Sequence, residues 1–364
     1  MTERCIIIFF AFSILSVNVN AETLEAIRQQ FEIYQRLPGE IEMLSTDNTR
    51  EINNVLRRTE AKRLTVRKEL DKALTEERPI RTMPGILIAE NFAAPFIYYV
   101  MVERAFAKQA LQQGKPDDTT QSIQYVYRLA DELVNSGSLE LRTTAARIRL
   151  QTLETVRLLL QNPLCRHEHH EQLHAIFYRY VHRRVTDETI WTRYREEGNR
   201  FFMETRRNGL DTTVSPRLLN ELLERPALDE YTKAPAERFA RDQSAFLRVM
   251  DILIEACEEP FFQRQPMLRQ LDTELRDQQG TATEPVFATL LLQDVSETMR
   301  LLEQERTGME MAYLALSVSL HGHNQQRTTN FLTGKEYQII LIPNGVMSTY
   351  EGNIKPFHVP FRAR

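Results

Sequence analysis

Residues 117–137 read DDTTQSIQYVYRLADELVNSG. Ile123, Val126, Tyr127, Ala130, Leu133 and Val134 recur at intervals of three and four, which places one apolar stripe along an α-helix. Asp117, Asp118 and Thr119 offer N-caps for it, and Gly137 ends it at a C-cap position. Ser138 then starts another helix, carrying Ile148, Leu153, Val156 and Leu160 and closed by Asn162-Pro163. Two capped helices with one short turn between them set the pattern for the chain.

The same grammar extends in both directions. Leu24, Ile27, Phe31 and Tyr34 mark an apolar stripe that stops at Leu37-Pro38-Gly39. Residues 47–77 are heavily charged and read as a solvated helix carrying opposite charges on neighbouring turns. Ile86 to Val102 is the most apolar stretch after the N-terminus and predicts a buried helix kinked at Pro95. Downstream, a histidine-rich helix reaches about Arg184. A helix capped by Thr186 then holds Trp191, Tyr194, Phe201 and Phe202, which read as core anchors, and stops at Asn208-Gly209. Prolines 216, 226 and 235 mark a junction, and further helices are expected over 236–258, 267–279 and 286–318. Only the tail changes period. Tyr337–Ile342 and Val346–Tyr350 flank Asn344-Gly345, a hairpin signal.

Composition agrees. The 364 residues include only 12 glycines, and 42% are apolar and 26% charged, values of a folded globular chain. The net charge of −4 gives no footprint for nucleic acid. The fold predicted is mainly α, a multi-helix array divisible into two helical lobes, with a small C-terminal β-hairpin. The expected segments are 1–21 as a signal peptide, 22–210 and 211–330 as the N- and C-terminal helical lobes, and 331–364 as the hairpin tail.

The N-terminus supports export. Arg4 precedes the uncharged apolar run Cys5–Val17, and Val19-Asn20-Ala21 has the form of a cleavage box. Thirteen apolar residues fall short of a membrane span, and no later stretch supplies one, so no transmembrane span is expected after cleavage. The expected location is the periplasm or the extracellular space. There Cys165 and Cys257 are a candidate disulfide, which would contribute roughly 4 kcal/mol in the loop-entropy model. The alternative is two thiols acting as small buried hydrophobes.

Chemistry concentrates in residues 165–174, CRHEHHEQLH, and five of the eight histidines fall between 167 and 182. His170, Glu171 and His174 satisfy H-E-x-x-H, and the segment resembles the zinc-binding helix of zincin metallopeptidases. The resemblance implies His170 and His174 as zinc ligands and Glu171 as general base, with Glu196 or Glu197 as candidate third ligands. The competing reading is an amphipathic helix with Leu173, Ile176, Phe177, Tyr180 and Val181 inward and the histidines at its edge. Met309–Leu320 and the hairpin after Tyr337 also resemble exported bacterial helical proteins that end in a pseudopilin-like tail. That resemblance implies a fold type and a compartment. The preferred expectation is a non-enzymatic binding or structural protein of the cell envelope or periplasm, with no cofactor and with a protein as the candidate partner. The alternative is a zinc-dependent peptidase.

Overall fold

The computed structural model describes residues 24, 27–31, 44, 49–75, 93–135, 139–209, 235–281, 284–292, 295–322 and 329–361. The helices are α1 (Thr49–Thr75), α2 (Ala94–Gln112), α3 (Pro116–Asn135), α4 (Leu139–Gln161) and α5 (His167–Arg183). They continue with α6 (Asp187–Asn208), α7 (Pro235–Ala256), α8 (Phe261–Gln278), α9 (Val286–Leu291) and α10 (Val295–His321). Strands β1 (Gln338–Ile342), β2 (Gly345–Thr349) and β3 (Phe357–Pro360) form one antiparallel sheet in that order. The protein is mainly α-helical with a small β-structure at its C-terminus. The signal segment 1–21 and the expected lobe boundary at 210 lie outside the described residues.

Caps and breakers account for most boundaries. Thr186 Oγ1 accepts from the Thr189 N–H at 3.2 Å and starts α6. Gly209, at φ +90°, ends it, and its N–H donates to the Thr205 carbonyl. Pro95 does not kink a helix, as the sequence suggested. It occupies the first turn of α2, where its missing N–H has no intrahelical partner to lose. Pro266 lies inside α8, whose start at Phe261 precedes the expected one. The expected helix 286–318 is two, α9 and α10.

Among the described residues three large hydrophobic clusters build the core, beside a small fourth of Ala146, Ile190 and Leu302. The first joins Leu24, Ile27 and Phe31 to α1–α4. The second joins Trp191, Tyr194, Phe201 and Phe202 of α6 to α7, α8, α9 and the start of α10. The third joins α3, α4 and α5 to Met309–Val318 of α10 and to the sheet. Helix α10 therefore contributes to two of the large clusters, Met299 to the second and Met309 to the third, and Leu302 to the small one.

The tail contains one strand more than the hairpin expected. β1 pairs with β2 through Ile342 and Gly345, so the tight turn is Pro343-Asn344 and Gly345 opens β2. Glycine is required there by close approach. A Cβ on Gly345 would overlap the Val359 carbonyl of β3. Val346, Phe357 and Val359 are buried in the third cluster, whereas Ile340 and Leu341 of β1 are exposed.

Charge is buried along with the core. Glu103 of α2 accepts from Arg67 of α1 at 2.7 and 2.8 Å and from the Tyr99 hydroxyl. Glu305 of α10 takes Arg142 and Arg149 of α4, each at 2.6 Å. Arg264 of α8 donates to Asp187 and Glu303.

Candidate ligand-binding cavity

Helices α3, α4 and α5 do not close on one another along their whole length. A cavity of about 400 Å³ lies between them, lined by one stripe from each helix. Helix α3 gives Gln124, Tyr127, Arg128 and Asp131, with spacings of three and four; α4 gives Arg142 and Arg149, seven apart; α5 gives Gln172, Ile176, Arg179, Tyr180 and Arg183. Arg184 and Val185 complete the wall. Six arginines face one aspartate.

The arginines fall into two sets. Those of the floor are neutralised. Glu305 is fully buried and meets both Arg142 and Arg149, and Arg149 also pairs with Asp131. Burial alone would push the Glu305 carboxyl up, but Arg142 and Arg149 together outweigh it and hold the group below its ordinary range. Burial likewise works against the charge of Arg149, and Glu305 and Asp131 reverse the sign, so its guanidinium stays charged. That guanidinium sits 5.0 Å from the centre of the Tyr180 ring. At the rim, Arg128 pairs with Asp71 at 2.7 Å and Arg184 approaches Asp187 at 3.7 Å. Arg179 and Arg183 are exposed and meet no carboxylate among the described residues.

Behind the cavity lining lie buried hydrogen-bonding groups without a partner. The hydroxyls of Tyr127 and Tyr180, Nε and Nη1 of Arg142 and Nε of Arg149 find no partner among the described residues. Tyr127 is 4% exposed and Tyr180 8%. Burial raises both phenols far above their ordinary range, so both hydroxyls keep their protons and act as donors.

The histidine-rich segment is built differently from the zincin resemblance. It forms the start of α5 and packs through Leu173, Phe177 and Tyr180. His169 is buried, with Nδ1 accepting from the Arg166 N–H at 2.8 Å and Nε2 2.9 Å from Asp117 Oδ1. The first contact fixes the tautomer, so Nε2 carries the proton and donates to the carboxylate. His170 is buried, and Glu171 is exposed with Oε1 3.6 Å from His167. His174 turns toward α10: Nε2 lies 2.9 Å from Ser317 Oγ, and its ring stacks on Tyr313 and meets His321 edge-on at 5.2 Å. Burial, then the neighbouring His321 and His182, lower its pKa. Among the described residues no three His, Cys, Asp or Glu side chains gather closely enough to hold a metal ion. Of the candidate third ligands, Glu196 is exposed on α6, and burial pushes the adjacent Glu197 up to about 7.

Cys165 and Cys257 are not joined to each other. Cys165 is buried in the third cluster beside α5, and Cys257 packs against the second, its thiol donating to the Leu253 carbonyl at 3.2 Å. No described helix is long and apolar enough to cross a membrane.

Sequence reasoning singled out the histidines and passed over the arginines. A usable signal was present. Arg142 and Arg149 stand among Leu141, Ala145, Ala146 and Ile148, on a face that must be inward, and Glu305 precedes the most apolar half of α10. No family model, curated protein or solved structure matches the chain.

Proposed function

We propose that the chain is an exported, non-enzymatic binding protein of the cell envelope or periplasm that holds a small molecule between α3, α4 and α5. The observation that carries this reading is the cavity itself, lined by six arginines and one aspartate. Its volume of about 400 Å³ falls within the ~300–1,000 Å³ of small-ligand sites. Its frame is rigid where it matters, because Glu305 of α10 fixes two of its arginines from behind. Away from the cavity, Arg67 with Glu103 and Arg264 with Asp187 and Glu303 form buried helix-to-helix ion pairs, which suit a scaffold.

Equilibrium dialysis of the purified full chain against a pool of small metabolites, read by mass spectrometry, tests the reading. Ala175→Trp is the control, because Ala175 lines the cavity yet is exposed, so a large side chain fills the space without entering the core. The expected result is a compound retained by the wild-type chain and lost in Ala175→Trp, with unchanged far-ultraviolet circular dichroism. Retention of nothing, or equal retention by both chains, overturns the proposal.

A further inference from the structure

We infer that the ligand of this cavity is a small organic dianion, a dicarboxylate or a phosphomonoester, an inference that rests on the binding reading above. Three observations point the same way. First, the lining holds six arginines, whose guanidinium nitrogens have no lone pair to accept with. Groups of this kind are satisfied by oxygen atoms rich in lone pairs, and carboxylate or phosphate oxygens match the guanidinium fork. Second, Arg179 and Arg183 bring positive charge to the rim with no carboxylate to answer it among the described residues. Third, the cavity's one aspartate, Asp131, already pairs with Arg149, so the lining keeps an excess of positive charge that disfavours a cation.

The polarity runs against the rest of the molecule. A chain of net charge −4 has gathered six arginines around one space. Val134, Ile176 and Val185 add an apolar side to the wall, which favours a carbon body over inorganic phosphate. The two uncompensated arginines set the charge of the ligand at two.

Isothermal titration of the full chain with succinate, phthalate, phenyl phosphate and neutral benzamide tests this. One of the three dianions should bind with submillimolar affinity, and raising sodium chloride from 20 to 200 mM should weaken it several-fold. Arg179→Gln with Arg183→Gln should weaken it at least tenfold; both positions are exposed, so the fold is not at stake. Binding of phenyl phosphate alone identifies the phosphomonoester class, and binding of succinate or phthalate alone the dicarboxylate class. Benzamide bound as tightly as any dianion, or dianion binding unmoved in the double variant, overturns the inference and leaves the cavity reading standing. No dianion bound while dialysis still retains a neutral compound does the same. No binding in either experiment overturns both.

Discussion

Replacing Glu305 by Gln should expose how much of the array depends on one buried carboxylate. The side chain is fully buried, and each of its oxygens lies 2.6 Å from a guanidinium nitrogen, of Arg149 on one side and Arg142 on the other. At about 4 Å between charge centres and an effective dielectric constant of ~20, each pair attracts by roughly 4 kcal/mol. Burying three ions opposes this by several kcal/mol apiece, so the assembled triad adds little on balance. Removing its single anion is another matter. It leaves two buried cations without their counter-charge, and such losses run at about 3–5 kcal/mol. Asp131 still answers Arg149, which puts the expected loss near 3 kcal/mol. Against a total stability of about 5–15 kcal/mol, that is a large fraction.

Urea unfolding followed by circular dichroism reads the effect. At a slope of ~3 kcal/mol/M the midpoint should fall by about 1 M with the slope unchanged. The loss should shrink on acidification. The folded carboxyl titrates below its ordinary range, so its contribution is present above the unfolded value near 4.3 and is lost as the pH falls through the folded one. The same variant should bind the dianion more tightly, because the floor arginines are no longer neutralised from behind. A midpoint within about 0.2 M of wild type at pH 7 would refute the claim that Glu305 holds α4 to α10.

Four further outcomes are expected. Gly198→Ala should cost about 1–2 kcal/mol despite the better helix propensity of alanine, because its Cβ would overlap the buried Phe246 ring; Phe246→Leu in the same chain should recover part of it, and additive losses in urea melts would contradict the contact. Thermal stability should fall as the pH drops from 7.5 toward 5, and less so in His174→Gln. His174 titrates near 6.5 when unfolded and lower when folded beside His182, His321, Tyr178, Tyr313 and Ser317, so acid favours the unfolded chain in that window; parallel curves for the two chains would count against it. Glu197→Gln should stabilise at pH 8 by on the order of 1 kcal/mol and by little at pH 5, since the folded carboxyl titrates at about 7, and calorimetry at the two pH values decides. Elemental analysis of the purified chain should find no stoichiometric zinc, because His174 Nε2 is engaged with Ser317 and Glu171 points to solvent beside His167; zinc that disappears on His170→Ala would restore the peptidase reading.

What could be read in advance, and what could not, follows from where each signal resides. Helices announce themselves within a dozen residues, because the stripe Ile123–Val134 and the Thr186 cap are local facts about local hydrogen bonds. The strand at 357–360 was missed because four residues carry no period, and its burial against α5 and α10 is a tertiary fact. The cavity is harder in kind. On their own helices Arg128, Arg179 and Arg183 read as parts of solvated faces, and Arg179 and Arg183 indeed are exposed. Their meaning arises only when α3 and α4 bring Arg128, Arg142 and Arg149 to the same space. Histidines drew attention because a five-residue motif is visible in one dimension, yet the fold spends them on capping α5 and on ring contacts with α10. The buried glutamate was the better clue. A carboxylate just before Met309–Leu320 has to be answered by cations from another helix. The only arginines set within an inward apolar face of α4 are Arg142 and Arg149. Following that single requirement leads from α10 to α4, and from α4 to the cavity its arginines line.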